Sequence, residues 1–299
     1  MNQQENDENV YLEQGNDELV LSAVHLSPTN PSPYSRNLQT TIFSSIDHSI
    51  NISINHKLGT TIELVGLQVW GGCLLLLDYL HNCNSVKGSC ILEIGSGTGL
   101  ASIYAALLGC TRVYSTDIDT SDADSSDGTS LFELQTLNIK ANHIDNIVVV
   151  RELDLTDGSH PIYKSQSIET DSVSTESSDY KWTPIDLTDV AENCKLIIAA
   201  DIIYDDSLTF QFVCRLPDLL VNGRQLILAL EKRVNFTLED MEARAHARDF
   251  LRHTLQALNA DREEEKLAVV GFEVVDLETI PQVFEYERSQ DLELYRFWL

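Results

Sequence analysis

The stretch Ile91-Leu92-Glu93-Ile94-Gly95-Ser96-Gly97-Thr98-Gly99-Leu100 constrains the fold more than any other part of the chain. A short apolar run ends in three glycines at alternate positions, and a segment of helical periodicity follows. Glycine there lets the backbone turn sharply and come close to a ligand, while the start of the next helix favours polar or anionic groups. The pattern is strand, tight turn, helix, and the flanking chain repeats it. Strands are expected at Cys90–Ile94, Arg112–Thr116, Ile147–Leu153, Lys195–Ala200 and Gln225–Leu230, and helices at Leu100–Leu108, Leu131–Asn142, Leu208–Leu220 and Leu238–Ala260. Such alternation predicts an α/β protein with a doubly wound parallel sheet. Phe272–Leu277 and Leu292–Trp298 have no helix between them and are expected as an antiparallel hairpin at one edge.

Upstream, residues 68–83 (QVWGGCLLLLDYLHNC) read as a helix, with Gly71 and Gly72 near its start. From Ile46 to Ile54 isoleucines recur at a step of two, the alternation of a half-buried strand, and Thr60–Val65 is its candidate hairpin partner. Residues 38–66 are thus expected as an N-terminal β extension of one domain spanning 38–299. Residues 1–37 are poor in large apolar side chains, and the first 18 carry six acids and no base. They read as a disordered acidic tail. Residues 120–130, and above all about 156–190, interrupt the alternation with Ser, Thr, Asp and Glu and read as insertions.

Charge narrows the partners. The chain has 47 acidic and 20 basic residues, a formal net charge of −27, so a phosphate backbone is repelled and a basic protein partner attracted. No apolar run reaches the roughly 18 residues of a membrane helix, and the first residues lack the pattern of a signal peptide. The six cysteines include no C-x-x-C pair and read as free thiols in a reducing compartment. No metal site is expected.

A dinucleotide fingerprint needs G-x-G-x-x-G, but here the third glycine, Gly99, comes one position early and Leu100 stands where the fingerprint wants it. An acid in the strand, Glu93, followed by G-x-G-x-G is the usual form in S-adenosylmethionine enzymes; a structural turn without ligand is the plain alternative. About 20 residues past the glycines, an acid at the end of the second strand is placed to accept both hydrogen bonds of a ribose diol. Asp117 is the first candidate and Asp119 the second. The fourth strand runs into Ala199-Ala-Asp-Ile-Ile-Tyr-Asp-Asp206 at the sheet edge where ligands of doubly wound folds bind, so Ala200, Asp201 and Tyr204 should border the cleft. Asp201 and Tyr204 are candidates to place a substrate amine. The plainer reading of Asp201 is a turn or cap residue.

Taken together, Q-V-W-G-G, L-E-I-G-S-G-T-G-L, S-T-D-I-D, A-A-D-I-I-Y-D-D and E-K-R-V-N-F-T resemble the seven-strand protein-lysine methyltransferases of methyltransferase family 16. The resemblance runs over roughly residues 45–299. It implies a Rossmann-like seven-strand methyltransferase sheet, S-adenosylmethionine as cofactor, and a protein lysine as acceptor. It also implies that Trp70 packs on the cofactor, that Gly95, Ser96 and Gly97 line its methionine end, that Asp117 holds the ribose, and that Ala200 closes the cleft. One motif departs. Members of the family usually carry tryptophan or a similar bulky residue after the third strand, in a leucine-aspartate-tryptophan pattern, where this chain reads Leu153-Asp154-Leu155. Leu155 is therefore the candidate adenine cover, with Trp182 either a replacement or an anchor for the insertion. With no lysine/arginine cluster the chain is expected to be a soluble protein of the cytoplasm, the nucleus or both, and the resemblance tilts this toward the nucleus.

Two rivals follow from the same residues. The first is a methyltransferase of this fold acting on a small molecule or a non-lysine protein group, since fold does not fix the acceptor. The second is an interaction module without catalysis, against which the intact glycine turn and Asp117 both weigh.

Overall fold

The structure is a computed structural model that describes residues 20–22, 24, 38–118, 130–163, 179–237 and 242–299. Its centre is a seven-stranded sheet. In chain order the strands are β5 (Cys90–Ile94), β6 (Arg112–Asp117), β7 (Val148–Glu152), β8 (Cys194–Ala200), β9 (Gln225–Glu231), β12 (Gly271–Val274) and β13 (Leu292–Trp298). In space they run β7-β6-β5-β8-β9-β13-β12. The first five are parallel; β13 pairs antiparallel with both β9 and β12. The expected antiparallel edge pair is present, and its second strand slots between β9 and β12.

Three helices cover each face. α1 (Gly71–His81), α2 (Leu100–Leu107) and α3 (Leu131–Ala141) bury Leu74–Leu77, Leu100, Ile103, Tyr104 and Phe132 on one side. On the other, α4 (Pro184–Asn193), α5 (Asp206–Leu219) and α6 (His246–Glu264) bury Leu187, Val190, Phe212, Leu216, Leu251 and Leu255. The strands serve both cores because successive side chains point to opposite faces: on β5, Ile91 enters the first core and Leu92 the second. Residues Ile62–His81 are apolar enough by composition to cross a membrane. Here Gln68–Trp70 divide them into a 3-10 segment, Ile62–Leu67, and α1, whose leucines are buried. Asp78 interrupts that apolar run yet is fully buried. Its carboxylate accepts from the backbone N–H groups of Val283 and Phe284, from Tyr286 and from Arg288, pinning the segment before β13 to α1.

The N-terminal extension is a hairpin in a different register from the expected one. β2 (Gln39–Ser44) pairs with β3 (Asn51–His56), from Gln39↔His56 to Ser44↔Asn51. The isoleucine alternation breaks at Ile46 because Asp47 accepts from the hydroxyls of Ser45 and Ser49 and from the Ser49 N–H, a local turn that overrides the strand pattern. Thr60–Val65 is not the partner: only β4 (Gly59–Thr60) is extended, and it pairs with β1 (Val20–Leu21). Residues 20–22, within the expected acidic tail, are therefore part of the fold, since Ser22 also hydrogen-bonds Gln68 and Val69. Residues 1–19, 23 and 25–37 lie outside the described residues. The hairpin docks on α3 through two asparagines: Asn138 and Asn142 take the N–H of Asn55 and Ser53 at 2.7 and 3.0 Å and return bonds to their carbonyls.

The insertion of 156–190 is shorter than the composition implied. α4 begins inside it with a capping box, in which Thr183 accepts from the Asp186 N–H and Asp186 accepts from that of Thr183, and Pro184 occupies the first turn. Residues 164–178 lie outside the described residues, as do 119–129. The last long helix starts later than Leu238, at His246 after a short β10–β11 ribbon (Asn235–Thr237 with Glu242–Arg244), and runs past Ala260 to Glu264, where Lys266 turns left-handed at φ +59°.

Candidate functional site

The cleft opens where β5, β6 and β8 end, with β5 between two strands whose connections run in opposite directions. That is where doubly wound sheets bind ligands. It encloses about 960 Å³ counted out to its open mouth. Ten of the twelve residues singled out from sequence line it: Trp70, Glu93, Gly95, Ser96, Gly97, Asp117, Leu155, Ala200, Asp201 and Tyr204. Gly99 does not. It takes a left-handed turn (φ +82°) as the N-cap of α2, and its α-carbon faces Gln135 of α3, behind the cleft. Asp119 lies outside the described residues.

The glycine turn is built around Gly97. Its φ is +52°, and a β-carbon there would stand 2.9 Å from the carbonyl oxygen of Gly66. Its N–H donates to Asp117 Oδ2 at 2.7 Å, and the Ile118 N–H donates to the other oxygen at 2.9 Å. Burial lifts the Asp117 carboxyl to about 6 against the opposing pull of these two N–H groups. Glu93 lies deeper, 2% exposed, and accepts from the Ser102 hydroxyl of α2. Burial pushes it up to about 8 despite that hydrogen bond.

Across the cleft, Asp201 has φ +54°, a conformation uncommon outside glycine, asparagine and aspartate. Its Oδ1 accepts from the Glu231 N–H at 2.9 Å, tying the ends of β8 and β9 together. Its carboxylate also fills the space beside Gly72, where a β-carbon would meet Oδ2 at 2.6 Å. This explains the second glycine of Q-V-W-G-G. Asp201 is thus held at the N-terminus of α1 and lines the cleft at once. Burial lifts its carboxyl to about 6, and burial likewise takes the Tyr204 phenol to about 12.

Ser96 lines the cleft, and its buried Oγ has no hydrogen-bond partner among the described residues. Buried polar groups are otherwise almost always paired, so the cleft suits a ligand that offers Ser96 a polar partner. Trp70, the N-cap of α1, faces it with its indole Nε1 donating to the Val65 carbonyl at 3.0 Å. Leu153 and Leu155 supply apolar wall after β7. Trp182 does not line the cleft and anchors the insertion to the core: it is buried, stacked on Tyr114 at 5.4 Å between centroids, and donates to the Glu152 carbonyl at 2.6 Å.

Sequence reasoning missed one wall. Val65, Gly66, Gln68 and Val69 of the 3-10 segment and its exit line the cleft. The signal was the isolated Gly66 within an apolar run, which marks a close backbone approach. Among the described residues no group of three or more His, Cys, Asp or Glu side chains is placed to hold a metal.

Strand order, glycine turn and cleft together define a Rossmann-like methyltransferase fold. Residues 47–173 match the family model described as lysine methyltransferase, which bears out the family resemblance seen in the motifs. Methyltransferase-like protein 22 of Mus musculus is 35% identical over 266 residues, covering 85% of this chain and 60% of that protein. Its namesake from Homo sapiens is 35% identical over 254 residues, 82% of this chain and 57% of that protein. The chain thus spans less than two thirds of the length of these relatives. Protein N-lysine methyltransferase METTL21A of Xenopus tropicalis is 39% identical over 79 residues, 26% of this chain and 34% of that protein.

Proposed function

We propose that the chain is an S-adenosylmethionine-dependent methyltransferase acting on the side-chain amine of a lysine in a protein substrate. The observation that carries this reading is the gathering, in one cleft, of the glycine turn, Asp117 and the Asp201–Tyr204 segment. When bound, the cofactor supplies a methyl group on a cationic sulfur that departs as a neutral thioether. The chain's own residues do the rest. Asp117 accepts from the ribose hydroxyls, Gly95–Gly97 and the unpartnered Ser96 Oγ meet the amino-acid tail, Leu155 covers the adenine, and Ala200 and Trp70 close the cleft. A neutral nitrogen must then be aligned with the methyl group at about 3 Å, and proximity of this kind is the main catalytic device. Asp201 and Tyr204 attract and orient the amine, Tyr204 adding the face of its ring.

The acceptor is proposed to be a basic protein segment, on the support of the −27 formal charge, with neither nucleic acid nor membrane as partner. Nucleus, cytoplasm or both is the proposed location, resting on the family resemblance; fractionation that finds the protein elsewhere overturns it. The function is tested by calorimetric titration with S-adenosylmethionine, then by transfer of a labelled methyl group to an extract lacking the enzyme. Label recovered as methyl-lysine after hydrolysis supports the reading. Absence of cofactor binding, or label on another residue or on small molecules only, sinks it.

A further inference from the structure

Just after β9, Arg233 stands over the cleft's tryptophan. Its guanidinium carbon is 4.6 Å from the centroid of the Trp70 ring, and Trp70 lines the same cleft as Asp201 and Tyr204. Its neighbour Lys232 turns instead to Asp291 and Glu293, at 4.0 and 3.7 Å. Among the described residues Arg233 forms no ion pair within 4.0 Å. A guanidinium does not deprotonate in proteins, so the aromatic face holds a permanent charge that lies among carboxylates without being ion-paired to one. The groups that feel its charge are Asp201 from the end of β8 and Tyr204 from the turn after β8; Asp201 also feels Glu231 at the end of β9, and Tyr204 feels Asp117 and Asp205. Glu63 also lines the cleft.

This arrangement answers a difficulty in the proposed reaction, on which the inference rests. A lysine amine has an ordinary pKa near 10.4, so at neutral pH it is almost wholly an ammonium without a lone pair. The carboxylates that attract it also favour its charged form. A fixed like charge nearby does the reverse. We propose that Arg233, held on the face of Trp70, is the electrostatic residue of the acceptor site that makes the lysine give up its proton. The N–H bond breaks and the proton passes to water; the freed lone pair would then form the new bond to the methyl carbon as that carbon's bond to the cationic sulfur breaks and a neutral thioether leaves.

The field of Arg233 is read first without any acceptor. Cysteine is placed at the acceptor position by Tyr204→Cys, and its thiol pKa is followed by the pH dependence of iodoacetamide alkylation, with the modified peptide identified by mass. Combining it with Arg233→Gln is expected to raise that pKa by about one unit, slowing alkylation near pH 7 about tenfold, whereas Arg233→Lys restores most of the rate. A pKa that moves by less than about a third of a unit, in variants with unchanged circular dichroism, overturns the proposal whatever the activity. The second arm measures labelled methyl transfer to extract lysines between pH 6.5 and 9.5. Arg233→Gln is expected to shift the rising limb upward by about one pH unit, losing about tenfold at pH 7 and recovering to within about twofold at pH 9.5. A limb that does not move overturns the inference while leaving the proposed function standing. A wild-type protein that transfers no label to lysine overturns both.

Discussion

The backbone N–H of Gly97 donates to Asp117 Oδ2 at 2.7 Å, so the turn after the first strand of the parallel sheet and the acid ending the second form one hydrogen-bonded unit. On its other side Gly97 lies against Gly66, close enough that a β-carbon would approach the Gly66 carbonyl oxygen to 2.9 Å. Three segments far apart in sequence therefore meet at one residue that has neither room nor the right φ for a side chain.

Gly97→Ala is expected to weaken S-adenosylmethionine binding at least tenfold, and Gly97→Arg to abolish it, because the left-handed conformation and the Gly66 contact both oppose a β-carbon. The backbone strain is of order 1 kcal/mol. Calorimetric titration of folded variants checks this, and unchanged affinity in Gly97→Arg would place the cofactor elsewhere.

Glu93 sets a pH dependence of stability. Its folded pKa of about 8 lies above the ordinary value of 4.5, so between these limits the folded state keeps a proton that the unfolded chain has lost. That contribution is fully present below about pH 4.5 and is lost as the pH rises through about 8. Asp117 and Asp201, both lifted to about 6, act in the same direction between about 3.8 and 6. Glu93→Gln stays neutral and still offers an oxygen to Ser102, so it is expected to gain about 1–2 kcal/mol at pH 8.5 and little at pH 5. Thermal melts at the two pH values decide it; an equal effect at both would show that Glu93 is not protonated in the fold.

The sheet was legible because its signals are local. Buried runs such as Ile91–Ile94 and Ile197–Ala200, each followed by a turn, need no tertiary knowledge to be read as parallel strands. Most of the cleft was legible for the same reason, since Gly97, Asp117 and Asp201 follow strand ends directly. What sequence did not show depends on contacts between distant segments. The register of the β2–β3 hairpin is set by the Asp47 turn and by Asn138 and Asn142 of α3, about 85 residues away. The Gly66 wall becomes part of the site only when Gly97 closes on it. α4 was a different miss: its capping box of Thr183 and Asp186 is visible in sequence, but the surrounding Ser- and Asp-rich composition masked it.

Trp182 and Leu155 are separable by experiment. Trp182 is 7% exposed and stacks on Tyr114, so Trp182→Ala is expected to cost about 3–5 kcal/mol of stability, seen in urea unfolding, while the folded fraction keeps its cofactor affinity. Leu155→Ala is expected to weaken S-adenosylmethionine about tenfold, because it removes apolar wall from the cleft itself. Reversed effects would return the adenine to the tryptophan.

The acidic insertion gives a salt test. Asp186 is committed to Arg151 and the α4 cap, and Asp189 to Tyr114 and Asn193, so neither is free to steer a substrate. Asp154, Asp157, Glu169, Asp171, Glu176 and Asp179 remain, and the test takes the central three, Glu169, Asp171 and Glu176. If they attract a basic acceptor, raising salt lowers catalytic efficiency on a protein substrate more than it lowers cofactor affinity, since the screening length is about 8 Å at physiological ionic strength. Replacing the three by glutamine or asparagine should flatten that dependence. Identical salt profiles would make the segment a spectator.

Asp201 can be both cap and acceptor-site group, and one pair of substitutions distinguishes the roles. Asp201→Asn keeps an oxygen for the Glu231 N–H and tolerates the left-handed φ of +54°, so the joint between β8, β9 and α1 survives. It removes the negative charge that attracts the acceptor ammonium. The expected result is a melting temperature and a cofactor affinity close to those of the parent, with turnover on a lysine acceptor reduced at least a hundredfold. Asp201→Ala should add a stability loss of about 1–2 kcal/mol, because the Glu231 N–H loses its acceptor and the N-terminus of α1 loses the negative charge beside it. Tyr204→Phe keeps the ring, so KM and kcat should both stay close to those of the parent if the ring face attracts the amine, whereas Tyr204→Leu should raise KM more than it lowers kcat. Full turnover in Asp201→Asn with a destabilised Asp201→Ala would confine the residue to its structural role and leave Tyr204 as the acceptor-site group to examine next.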